Sequence, residues 1–180
     1  MFGVIFFCAV LALAKGQSTP VEQCNTGYGD PPINAYLEGC TTMPCRVPLG
    51  ENAVIDVVFE SPRTIRSMKT VARASLGPIA FNYTLGENEV TCNNLENTYC
   101  PLQKGEIVQY TLRMFIEPVF PTIGVQVDFL VEDEDQIPLW CIRIRIQVVD
   151  SQVKRISNSS TPPASNSLLL KYLNATKLIN

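Results

Sequence analysis

Histidine is absent from the 180-residue chain. With it go the commonest general base, the Ser-His and Cys-His nucleophile pairs and the commonest metal ligand. Most hydrolytic mechanisms are thereby excluded, and no cofactor or metal is expected. Positive charge is also scarce: Lys and Arg number 14 against 17 Asp and Glu, a net charge of −3. The basic residues are scattered, so the chain has no cationic field with which to hold a phosphate backbone, and nucleic acid is excluded as a partner. Carboxylates occur throughout, but no spaced acid pair sits in an apolar context that tunes one of them for acid-base work. An enzyme is not expected.

Long hydrophobic runs are missing as well. The apolar stretch from Val4 to Ala14 within MFGVIFFCAVLALAKG is too short to span a bilayer and ends in small residues, so residues 1–16 read as a secretory signal peptide despite an n-region without positive charge. Cleavage fits after Ala14 or after Gly16. The expected destination is extracellular, with the endolysosomal lumen as a second possibility. Removing Cys8 with the signal leaves cysteines at 24, 40, 45, 92, 100 and 141, an even number suited to an oxidising compartment. Spacing alone allows fifteen pairings. Cys40 with Cys45 and Cys92 with Cys100 are close enough to close small loops, which would leave Cys24 for Cys141. A zinc site lacks support, because neither His nor a paired CxxC accompanies these thiols. Sequons at Asn82, Asn158 and Asn174 predict surface positions for N-linked glycans.

What is abundant is period-two alternation, the signature of strands with one buried face. Ala53, Ile55, Val57 and Phe59 share a face, as do Val108, Tyr110, Leu112, Met114 and Ile116. Ile123, Val125, Val127, Phe129 and Val131 form a third apolar series, and Trp140, Ile142, Ile144, Ile146 and Val148 a fourth. Further strands are expected around Ser67 to Ala74 and Ile79 to Tyr83, with turn residues every ten or so positions. No helical period competes between Cys24 and Asp150. The expectation is all-β: an immunoglobulin-like β-sandwich of two antiparallel sheets. Its inner faces carry no charge. They either fill the core by interdigitation or, if the sheets splay, leave an apolar cavity between them.

The cysteines and their neighbours carry a resemblance. Cys24, then Cys40-Thr-Thr-Met-Pro-Cys45, an alternating strand ending in Val58-Phe59, Cys92, Cys100-Pro101-Leu102 with Gly105, Phe120-Pro121 and Leu139-Trp140-Cys141 resemble the MD-2-related lipid-recognition (ML) domain. Within it they are most similar to the Niemann-Pick type C2 group, with its secreted arthropod relatives and the mite group 2 allergens. The resemblance covers Cys24 to about Val149. It implies the sandwich with an apolar cavity between its sheets and the disulfide pattern favoured by spacing. It further implies a cavity lined by Phe59, Phe81, Tyr110, Met114, Ile116, Phe120, Ile123, Val125, Val127 and Phe129, holding a sterol, a fatty acid or a similar apolar molecule such as a semiochemical. The chain departs from the lysosomal sterol carriers at Phe120, where they have Tyr, and at Ala80–Gly86, where they are proline-rich. Cargo identity therefore stays open between sterol and fatty acid.

The organisation expected is a signal peptide over 1–16, one lipid-binding domain over 17–150 and a flexible tail over 151–180. The tail is Ser/Asn/Pro-rich, with Leu168, Leu169, Tyr172 and Leu173 on one helical face. Glu132 to Asp135 reads as a solvated acidic turn. Arg63, Arg66, Lys69 and Arg73 read as an exposed edge strand protected by charge, or as a contact for an anionic head group. Arg143 and Arg145 point outward. Function narrows to a monomeric lipid carrier that passes cargo to a membrane or receptor. The alternative is an accessory lipid-recognition subunit of an innate-immune or signalling receptor.

Overall fold

Each alternating series forms a strand in the computed structural model, which describes residues 16–24 and 29–151. Residues 1–15 and 152–180, which hold all but one residue each of the expected signal peptide and tail and include Asn158 and Asn174, lie outside the described residues. The strands are β1 (Glu22–Gln23), β2 (Asn34–Leu37), β3 (Cys45–Pro48), β4 (Asn52–Glu60), β5 (Met68–Leu76), β6 (Ile79–Tyr83), β7 (Ile107–Phe115), β8 (Gly124–Asp133) and β9 (Pro138–Val149). Two 3-10 turns, Gly86–Glu89 and Thr91–Asn94, lie between β6 and β7. One sheet runs in the order β1-β9-β8-β5-β6, with β3 also beside β9; the other runs β2-β4-β7. Alternation translates directly into burial: Ala53, Ile55, Val57 and Phe59 of β4 are buried, and Trp140, Ile142, Ile144, Ile146 and Val148 of β9 are buried. The two inner faces meet as a sandwich.

Three features depart from the sequence reading. β1, β2 and β3 were not expected, because two to four residues are too few to display a period. β3 pairs with β9 in parallel, Cys45 opposite Ile146 through Pro48 opposite Val149, so one pairing in the larger sheet is not antiparallel. The basic stretch is not an edge strand. β5 pairs with β8 on one side and β6 on the other, while Arg63 precedes it and donates through Nε to Asp133 Oδ2 at 2.9 Å.

Asp133 is a further correction, since it is buried rather than solvated. Its Oδ1 accepts from the backbone N–H of Asp135 at 3.0 Å and of Ile137 at 2.9 Å, stapling the β8–β9 turn. Arg143 is half-buried and paired with Asp128, Nε to Oδ1 at 2.7 Å, whereas Arg145 reaches Glu22 at 2.7 Å on the exposed face.

Three disulfides join Cys24 to Cys141, Cys40 to Cys45 and Cys92 to Cys100, with sequence separations of 117, 5 and 8. The long one ties β1 to β9 beside their antiparallel pairing of Gln23 with Ile142. Among the described residues no helix is long and apolar enough to cross a membrane.

Candidate ligand cavity

The gap between the sheets follows from side-chain volume. Along β5 the inward residues shrink from Met68 and Thr70 to Ala72 and Ala74 as the strand nears its hairpin with β6. Ala74 lies opposite Phe81 of β6 and Val127 of β8. A methyl group in the middle of three adjacent strands cannot reach the facing sheet about 10 Å away. The result is a cavity of about 280 Å³ at this end of the sandwich. Its walls are Val47 of β3, Ala74 and Leu76 of β5, Phe81 and Tyr83 of β6, Met114 of β7 with Ile116 just beyond it, Phe120, Pro121 and Ile123 of the following loop, Val125 and Val127 of β8, and Ile146 and Val148 of β9. Among the described residues, none that lines the cavity carries a charge.

Seven of the residues implied by the resemblance meet here: Phe81, Met114, Ile116, Phe120, Ile123, Val125 and Val127. Phe59, Tyr110 and Phe129 do not. They face inward but sit deeper, where bulky side chains close the gap. Trp140 has its ring centroid 5.9 Å from Phe59 and 6.3 Å from Tyr110. Phe129 pairs across to Ala72 and Ile142 and is fully buried. The Tyr110 hydroxyl is held in a buried chain, 2.7 Å from Thr70 Oγ1, which is 2.7 Å from Thr91 Oγ1. Burial drives the Tyr110 pKa well above its usual value, against the opposing Thr70 hydrogen bond. Phe59 and Trp140 instead help wall a separate polar cleft with Asp30, Glu60 and Arg63.

Val47, Ala74, Leu76, Tyr83, Pro121, Ile146 and Val148 complete the cavity and were missed as lining residues. Ile146 and Val148 were legible as inward-facing. Val47 lies on a strand too short to recognise, and Ala74 contributes by being small.

The mouth lies where β6 and the loop after β7 approach each other. Tyr83 and Phe120 pack edge to face, centroids 5.8 Å apart, a favourable geometry for aromatic pairs. The Tyr83 hydroxyl donates to the Phe115 carbonyl at 2.7 Å, joining the free edges of the two sheets. Partial burial and the nearby Glu117 carboxylate raise the Tyr83 pKa. Around this end Leu76, Ile79, Phe81, Phe115 and Val119 are exposed, with Val119 at 86% and Ile79 at 65%.

The family model described as ML domain matches residues 18–148. The NPC intracellular cholesterol transporter 2 of Bos taurus is 23% identical over 143 residues, 79% of this chain and 93% of the bovine protein. The corresponding transporter 2 homolog a of Drosophila melanogaster is 23% identical over 146 residues, covering 80% and 96% of the two chains. Among solved structures, a Niemann-Pick type C2 protein from the Japanese carpenter ant matches with a TM-score of 0.64 at 15% identity, over 72% of this chain and 98% of the ant protein. Fold and sequence agree on one assignment: this chain belongs to the ML domain family.

Proposed function

We propose that the protein is a secreted carrier that holds one apolar molecule, a sterol or a chain lipid, between its sheets and moves it through aqueous fluid. The observation that carries this reading is the uncharged cavity ending at a mouth ringed by exposed apolar side chains. Transfer of an apolar molecule from water into such a space gains roughly 25 cal/mol per Å² buried, less ordering costs. The bovine and fly relatives are named for cholesterol transport, which supports the sterol end of this range.

At about 280 Å³ the cavity lies just below the size of typical ligand pockets, about 300–1,000 Å³. Loading a whole sterol therefore calls for outward movement of a wall. β6 is the candidate, being an edge strand attached on one side only. The exposed Leu76, Ile79 and Val119 place apolar surface where cargo passes to a membrane or protein acceptor. The sequon at Asn82 fits this arrangement: Asn82 is exposed on β6 between Phe81 and Tyr83, so a glycan there projects from the outer face of the strand. An accessory receptor subunit that reads an acidic glycolipid calls for basic residues at the mouth. Arg63, Arg66, Lys69 and Arg73 are not among the cavity's lining residues.

Native mass spectrometry of protein secreted from eukaryotic cells, followed by solvent extraction, tests the reading. A bound sterol or chain lipid is expected. Phe120→Asp should lower affinity for a fluorescent sterol or fatty acid at least tenfold while keeping a cooperative thermal transition, because a charge in an apolar lining disfavours an apolar ligand. Protein that emerges empty and binds neither probe would rule out the carrier.

A further inference from the structure

Among the described residues the cavity wall is apolar except at one point. Of the described residues that line it, Tyr83 alone has a side chain with a hydrogen-bonding polar group, and its hydroxyl already has a partner, the Phe115 carbonyl 2.7 Å away. That carbonyl lies on the free edge of β7. Farther down the same edge the backbone is covered, since Glu96 N–H donates to Gln109 C=O, and Asn97 donates to Ile107 C=O and accepts from Gln109 N–H. Phe115 is left to Tyr83. The pair therefore acts as a bridge across the mouth between the edge strands of the two sheets. A molecule whose head remains at the mouth has to replace it.

We propose that Tyr83 and the Phe115 carbonyl form a head-group selector that admits an uncharged hydroxyl and rejects an anionic head. This rests on the carrier reading and specifies which member of the cargo class the mouth accepts. The chemistry is a matter of donors and acceptors. Tyr83 offers an O–H that also accepts, whereas a backbone carbonyl only accepts. A neutral hydroxyl inserted between them accepts from Tyr83 and donates to Phe115, so one hydrogen bond is exchanged for two. An ionised carboxylate or sulfate only accepts. It can take the Tyr83 O–H, but it then leaves the Phe115 carbonyl without a donor and places its charge against that oxygen. Glu117 adds a second unfavourable charge, since its carboxylate already acts on Tyr83. Unmade hydrogen bonds at sites built to make them are the usual source of strong discrimination.

The test uses matched probes that differ only at the head: hexadecanol against palmitate, and cholesterol against cholesterol sulfate, each titrated at pH 7.5 into the full secreted chain. Within at least one pair the alcohol is expected to bind about tenfold or more tightly than the anion. Tyr83→Phe removes the bridge that has to be broken together with a donor that either head can accept from, so the alcohol should bind within about twofold of the unmodified protein and the alcohol-to-anion ratio should persist or widen. Glu117→Gln should raise affinity for the anion by about threefold and shrink that ratio, because a negative charge beside the head is removed. Equal affinity for alcohol and anion in the unmodified protein, or a ratio that Glu117→Gln leaves unchanged, would overturn the selector while leaving the carrier standing. Failure of all four probes to bind would overturn the carrier reading and the selector with it.

Discussion

Tyr110 and Tyr83 both point between the sheets, yet their hydroxyls have opposite fates. Tyr110 is sealed under Trp140 and satisfied by Thr70, so it acts as core. Tyr83 is partly exposed and holds a carbonyl across the mouth. Neither partner is near in sequence, and alternation treats the two residues alike. Asp133 shows the same dependence on distant neighbours. Burial by itself raises its pKa, but the Ile137 N–H, the Arg63 guanidinium and the Asp135 N–H outweigh it and hold the carboxyl below its ordinary 3.8. A folded pKa below the unfolded one means that the unfolded chain takes up the proton first as pH falls. The stabilisation is therefore fully present above pH 3.8 and is lost as pH drops through the folded value. Asp133→Asn should cost roughly 1–3 kcal/mol at pH 7, the scale of hydrogen bonds to a charged group. In urea titrations the gap from the unmodified protein should narrow below pH 3.8. A gap that stays constant down to pH 2 would show that the charge on Asp133 is not what stabilises the turn.

At the scale of elements, β5 and β6 decide the cavity. The hairpin joining them brings Leu76 opposite Ile79 across Gly77 and Pro78. Gly77 has φ +58°, the left-handed conformation that two-residue hairpin turns with glycine at the first central position require. This turn sets the register that puts Phe81 beside Ala74 and Tyr83 beside Ala72. Because Ala74 makes the gap by its small size, Ala74→Leu should fill it. Fluorescent-lipid affinity is expected to fall at least tenfold, while the thermal midpoint is held or raised, since added methylenes enter existing space instead of overpacking a full core. A fall in thermal midpoint with undiminished binding would mean that the space beside Ala74 is not the ligand site.

Across the whole molecule, the Cys24–Cys141 bridge joins the first described strand to the last over 117 positions. A cross-link of this reach restricts the unfolded chain more than the two short loops do. Replacing both cysteines, Cys24→Ser with Cys141→Ser, should lower unfolding free energy by about 2–5 kcal/mol in guanidinium titrations. The single Cys24→Ser variant should expose one reactive thiol at Cys141. An unaltered midpoint in the double variant would remove the bridge from the account of stability.

The sequence alone was enough for the strands that show a full period, their inward faces, the cysteine pairing favoured by spacing and, apart from the buried Asp133 at the end of β8, the uncharged character of the inner faces. Each of these depends on neighbours within one strand or on chain separation. The cavity's position was only partly legible. Seven of the residues implied by the resemblance line the cavity, whereas Phe59, Tyr110 and Phe129, which it also implied, are buried away from it. Alternation states which way a side chain points but not what stands opposite it. Whether two inner faces touch depends on the summed volumes of residues brought together by register: Ala74 with Phe81 and Val127 at the open end, and Trp140 with Phe59 and Tyr110 at the closed one. Those sums exist only after the sheets have paired, so the location of the cavity and the bridge across its mouth were decided by the tertiary structure.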